Sequence, residues 1–166
     1  MSLSAPFVAE LQQEAKTTRK VLERIPESAF GWKPHEKSMT MARLATHVAE
    51  MTGWIKDTVE KPGIDFAAMD YKPFEPKTTA ELVDFFDQRV AESTEALKNT
   101  SDEAMMQNWI MRNGETVYMD LPRVQVLRGM VFNHIVHHRG QLSVYLRLNE
   151  IPVPELYGPS ADEGKM

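Results

Sequence analysis

The chain is 166 residues long, 42% hydrophobic and 26% charged, the composition of a single folded domain over residues 1–166 and not of a disordered segment. Its 19 Lys and Arg against 24 Asp and Glu leave a net charge of -5, so no general positive field exists to neutralise phosphates, and nucleic acid is not an expected partner. Cysteine is absent, which excludes disulfides, thiolate metal ligands and a cysteine nucleophile.

The start, "MSLSAPFVAELQQEAKTTRK", has no basic region followed by an apolar one, and no run approaches about 18 uninterrupted apolar residues. A cytoplasmic protein without a membrane partner is expected. Ser4 and Pro6 mark a helix start, and Phe7, Leu11, Ala15, Thr18, Leu22 and Ile25 share one face until Pro26 ends the pattern. A turn-rich connection then leads to Ser38 and Thr40, either of which can cap a second helix reaching Glu60. From Lys61 to Lys77 prolines and Gly63 break any period, which reads as a long crossover loop. A third helix, capped by Thr78 or Thr79, turns Leu82, Phe86, Val90, Ser93 and Leu97 to one side. In "NWIMRNGETVYMD" an Asn-Gly pair between short apolar runs signals a β-hairpin. The last helix opens at Pro122 and ends near Asn149, and the Pro- and Gly-rich tail is expected to lie extended over the surface. The expected fold is all-α: a four-helix bundle with a long crossover and a short β-hairpin before the last helix.

That last helix contains "VFNHIVHHRGQLSVYL", with three of the chain's five histidines. At about 100° per residue, Leu127, Val131, His134, His138, Gln141, Tyr145 and Leu148 form an unbroken seam at alternating four- and three-residue steps. On this reading His137 borders the core, while Arg139, Ser143 and Arg147 face solvent. The second helix repeats the pattern with Thr40, Leu44, His47, Met51, Trp54 and Thr58, which turns His47 inward as well. One buried histidine usually just hydrogen-bonds a neighbour. Three in one interior leave several ring nitrogens to satisfy, at a cost of about 1–3 kcal/mol for each one left unpaired. A divalent metal accepts three lone pairs at once, so His47, His134 and His138 are the candidate ligands. Ile135 occupies the place where the zinc-protease helix motif carries its glutamate, which rules out that motif.

"NHIVHHRGQLSVYLRLNEIPVPELYGPSADE" and "ATHVAEMTGW" resemble the last helix, the tail and the earlier histidine segment of the DinB family, and the resemblance extends over essentially the whole chain. It implies an up-down-down-up bundle, a nickel or zinc ion held by His47, His134 and His138, a non-ligating His137, and a homodimer. It implies thiol-dependent transfer or isomerisation with a low-molecular-weight thiol for some relatives and metal-dependent hydrolysis for others.

Three neutral imidazoles leave a divalent ion its full charge. Hydrolysis also needs a group to manage the proton, and Glu50, one turn after His47, is a weak candidate that can equally face solvent; Gln141 cannot act as a base. Thiol transfer asks less of the protein, because the incoming thiol brings its own nucleophile. Tyr145 shares the seam, so its hydroxyl is a second candidate for contact with a ligand. No catalytic residue is assigned. Met51 and Trp54 read as core and His35 as a loop residue, and a non-catalytic metal-binding module stands as a further alternative.

Overall fold

The computed structural model describes residues 2–164. Ser4 stands at the N-cap of α1 (Ala5–Glu23), with Pro6 in the first turn, where its missing N–H had no partner to lose. In α2 (Met41–Glu60) the Thr40 hydroxyl accepts from the Arg43 amide at 3.2 Å, and in α3 (Thr79–Lys98) Thr78 accepts from Glu81 at 3.1 Å. A short α4 (Asp102–Met106), capped by Ser101, has no counterpart in the periodic reading; five residues are too few to show a period. The last helical stretch consists of α5 (Arg123–Val126), a π-helical segment (Leu127–Phe132) and α6 (Asn133–Leu148), which follow one another directly.

α1 lies against α3 and α6, and α2 lies against the same two helices. Between them Leu22, Leu44, Ile55, Leu82, Leu97 and Leu146 are almost completely withdrawn from water, each burial worth about 1.5–3 kcal/mol. The Ser93 hydroxyl donates to the Thr52 carbonyl at 2.6 Å and fastens α3 to α2.

The all-α four-helix-bundle expectation is overturned by a three-stranded mixed sheet, ordered β1 (Gly63–Asp65), β2 (Asn108–Asn113), β3 (Thr116–Pro122). β2 and β3 are antiparallel and turn at Gly114-Glu115, where Gly114 takes φ +59°. β1 comes from the segment read as a crossover loop and pairs parallel to β2, Gly63 facing Ile110. Three residues carry no visible alternation. What the pairing needs is Gly63, because a Cβ there would lie 2.2 Å from the Ile110 carbonyl oxygen. Asp65 then ties β1 to the hairpin, accepting from the Gly114 amide at 2.9 Å and pairing with Arg112.

The π-helical segment changes which side of the last helix is buried. The Asn133 amide donates to the Arg128 carbonyl, five residues back, so this turn holds one residue more than an α-turn. Upstream, Leu127 and Val131 are buried as the seam requires; downstream the buried line runs through Ile135, Arg139, Leu142 and Leu146. Arg139, expected in solvent, is 1% exposed. Its guanidinium donates to the Thr18 hydroxyl at 3.0 Å, pairs with Glu14 at 2.6 Å, and donates to the Tyr157 hydroxyl over whose ring it lies. Leu148 and His137, expected inward or at the core's border, are exposed. Arg147 does reach the surface and pairs with Asp162 of the tail. No helix among the described residues is long and apolar enough to cross a membrane.

Candidate metal centre

The register shift leaves His134 and His138 at the margin of the core, on the side of α6 that meets α2 and His47. His47, His134 and His138 each offer a ring nitrogen, and the three nitrogens lie within 4.8 Å of one another. Their ring centroids are 4.6 to 5.4 Å apart. Trp54, two turns after His47, meets the His47 ring edge-on at 5.5 Å and lies 5.9 Å from His134. Among the described residues this is the one group of three or more His, Asp or Glu side chains that converges in this way.

The nitrogens fit a cation. His134 Nε2 and His138 Nε2 are 2.8 Å apart, and His47 Nδ1 is buried without a hydrogen-bond partner. Burial pushes the His47 imidazole down to about 4, with His138, Arg43 and His134 adding to the shift and Glu50 opposing it. Burial also lowers His134, reinforced by His138 and His137, and it lowers His138, where the hydrogen bond to Gln141 works the other way. Neutral imidazoles keep their lone pairs, and lone pairs are what a divalent metal binds. The arrangement is compatible with a divalent metal. Beside His138, the Gln141 side chain reaches Nδ1 at 2.6 Å, a contact the i to i+3 spacing could have revealed. His137 stacks edge-on against His138 at 4.8 Å from the exposed side.

Glu50 is 9% exposed and does not face solvent. Its carboxylate accepts from Arg43 Nη1 at 3.0 Å, from the Tyr71 hydroxyl at 2.7 Å and from the Phe74 amide at 3.0 Å. Tyr71 in turn accepts from Arg43, and burial together with Glu50 raises its phenol above the ordinary value. Glu50 thereby clamps the segment after β1 onto α2. The Tyr145 hydroxyl donates to the Met39 carbonyl at 3.2 Å and its ring meets Trp32 edge-on. Met51 is fully buried, and His35 is exposed in its loop, accepting from the Lys37 amide.

A cavity of about 860 Å³ adjoins His47, walled by α2, α3, the segment after β1, the sheet and Met130 of the π-helical turn. Tyr71, Trp109 and Met111 in this wall escaped the sequence reading. They come from a segment read as loop and from a hairpin with no assigned role, and no local spacing joins either to His47.

A helix-rich fold with a small mixed sheet and three converging histidines describes a compact class of proteins. The chain belongs to the DinB family, whose sequence profile matches residues 1–165. It is 25% identical over 161 residues to the uncharacterized protein YrdA of Bacillus subtilis (strain 168), covering 95% of this chain and 89% of that one. The crystal structure of the DinB-like protein YjoA from Bacillus subtilis superposes with a TM-score of 0.71 at 16% identity, over 91% of this chain and 97% of that one. The mycothiol-dependent maleylpyruvate isomerase superposes with a TM-score of 0.53 at 11% identity, over 99% of this chain and 67% of that one. At these identities the two structural likenesses speak to the fold.

Proposed function

We propose that the chain is a metal-dependent enzyme that activates a low-molecular-weight thiol for transfer to an electrophile, with a nickel or zinc ion held by His47, His134 and His138. The ion supplies a Lewis acid that lowers the pKa of a thiol among three neutral ligands. The protein's own residues do the rest. His47 on α2 and His134 and His138 on α6 present their lone pairs, Gln141 fixes one ring, and Trp54 shields the group on one side.

The observation that carries the choice of reaction is the state of Glu50. Its carboxylate lies 4.0 Å from His47 Nδ1 and accepts from Arg43, Tyr71 and Phe74, which gives the one acid a turn from His47 a structural task other than that of a general base. A thiol needs no such base. The mycothiol dependence in the name of the structurally similar isomerase supports the same reading. The reading includes a cytoplasmic homodimer, which light scattering would disprove by returning a mass near 19.0 kDa across micromolar concentrations.

Metal analysis of untagged protein tests the ligands. His47→Ala, His134→Ala and His138→Ala should each lose stoichiometric metal and His137→Ala should keep it. The loaded enzyme is then assayed with thiol and electrophile pairs beside a panel of hydrolysable substrates. Conjugation that vanishes on metal removal is expected, and thiol-independent hydrolysis without conjugation would overturn the proposal.

A further inference from the structure

The cavity beside His47 is large enough for a drug-sized molecule. Its apolar wall is built by Trp54 of α2, Phe74 after β1, Phe85 of α3, Trp109 and Met111 of β2, and Met130 of the π-helical turn. Phe74 and Phe85 stack at 4.3 Å, and the Arg89 guanidinium lies 4.8 Å over the Phe85 ring. Aromatic faces and thioethers from five parts of the chain thus converge on one space, which suits a flat or aromatic body.

The charges lining that space balance, with Arg43, Lys56, Lys61, Lys72 and Arg89 against Glu50, Asp57, Glu60, Glu75 and Glu92. Five cations line it and four carboxylates pair with them: Glu50 with Arg43 at 3.0 Å, Glu92 with both Lys56 at 3.6 Å and Arg89 at 3.1 Å, Asp57 with Lys61 at 2.7 Å, and Asp70 with the solvent-exposed Lys72 at 3.6 Å. Glu60 and Glu75 add two further carboxylates to the lining. A carboxylate on an incoming molecule would compete with these acids for the same cations, and it would meet Glu60 and Glu75, for which no ion pair is found among the described residues, in a lining that carries no excess of positive charge. A neutral apolar body meets no such penalty and gains the apolar surface.

We infer that this cavity holds the body of the second substrate, and that the substrate is an uncharged electrophile with an aromatic or similarly apolar body, selected against anions. The inference rests on the thiol-transfer reading for the word electrophile; the cavity's preference for neutral over anionic ligands stands on its wall alone. The thiol adds to an activated double bond of the second substrate, a C–S bond forming as the S–H and the π bond break and the thiol's proton passing to the neighbouring carbon, while the body of that substrate lies against Trp54 and Trp109.

Binding and turnover separate the two claims. Quenching of tryptophan fluorescence is titrated with 4-nitrobenzyl alcohol and with 4-nitrobenzoate, which share a ring and differ in charge. Both titrations are run on the full chain as purified and again after dialysis against a chelator, since a carboxylate drawn to an ion would bind only in the first. In the chelated protein the alcohol should bind at least tenfold more tightly than the benzoate. Met111→Glu should weaken the alcohol at least tenfold with unchanged circular dichroism, and Met111→Leu should keep it. Equal or tighter binding of the benzoate, or alcohol binding indifferent to Met111→Glu, overturns the inference. Neutral binding without any thiol conjugation sinks the thiol reading and leaves the cavity's selectivity standing; conjugation that prefers anionic electrophiles does the reverse.

Discussion

Gln141 lies one turn beyond His138 on α6, and its side-chain oxygen accepts the Nδ1 proton of that imidazole at 2.6 Å. The contact fixes the tautomer, leaving the Nε2 lone pair of His138 directed at His134 Nε2, 2.8 Å away. A partner of this kind orients a ligand ring and raises its basicity. Gln141→Ala should therefore weaken metal binding by about tenfold, and Gln141→Glu should recover it. Competition against a chromogenic chelator measures both, and an unchanged affinity in Gln141→Ala would show the contact to be incidental.

Acid should remove the metal late. Protons and metal compete for the same lone pairs, and all three histidines sit below the ordinary value of 6.5, His47 at about 4. Retention should stay level through pH 6.5 and fall as the pH approaches 4. The metal-free chain follows the same sign: its folded form binds fewer protons than its unfolded form, so stability present above pH 6.5 is lost as the pH falls toward 4. Metal content and unfolding midpoints between pH 7 and 4 check both statements, and complete loss of metal by pH 6 contradicts the first.

Glu50 acts as an anchor in this geometry. Glu50→Ala removes the acceptor for Arg43, Tyr71 and Phe74, at a cost of about 1–3 kcal/mol for the groups left unpaired. The segment from 69 to 77 should then exchange its amides faster and become open to limited proteolysis, with metal stoichiometry intact. Lost activity with unchanged protection of that segment would make Glu50 a proton carrier instead.

Arg139 is the largest polar commitment in the interior. Arg139→Ala should cost about 3 kcal/mol, because Glu14 keeps only the Tyr157 hydroxyl, at 2.9 Å, as a partner for its charge. Replacing both residues, as Arg139→Met with Glu14→Leu, should recover most of it. Urea unfolding of the two variants decides, and a loss under 1 kcal/mol in Arg139→Ala would mean the tail and water compensate.

The first three long helices were legible because each carries a period and a signal at its start: Thr40 and Thr78 cap where the pattern begins, and Pro6 sits in a first turn. The convergence of His47 with His134 and His138 was legible for a related reason, since both helices place histidine on the side that meets the other. What escaped has identifiable physical causes. β1 is three residues long and depends on the absence of a side chain at Gly63, a requirement that only the facing Ile110 carbonyl reveals. The burial of Arg139 was hidden because a fixed 3.6-residue repeat was carried through a π-turn. Glu50 looked free because its partners Tyr71 and Phe74 belong to a segment with no period at all.

The π-turn makes the length of the chain between Leu127 and Phe132 part of the site. Loss of one residue there would remove the surplus that the π-turn absorbs, and a regular α-turn would then join α5 to α6 without turning α6. Ile135, Leu142 and Leu146 would stay buried; relaxation to a regular α-helix at unchanged length is what would turn α6 by about 100° and bring the repeat through His134, His138, Gln141 and Tyr145 to the buried line. Substitution at Gly129 or Met130 leaves the phase of α6 intact, and so does removal of the one surplus residue, whereas removal of a second residue resets it. Deletion of Gly129 should therefore keep metal uptake with helix content nearly constant, whereas deletion of Gly129 and Met130 together should turn α6 and abolish it; loss of metal in the single deletion would show that the π-turn itself shapes the site.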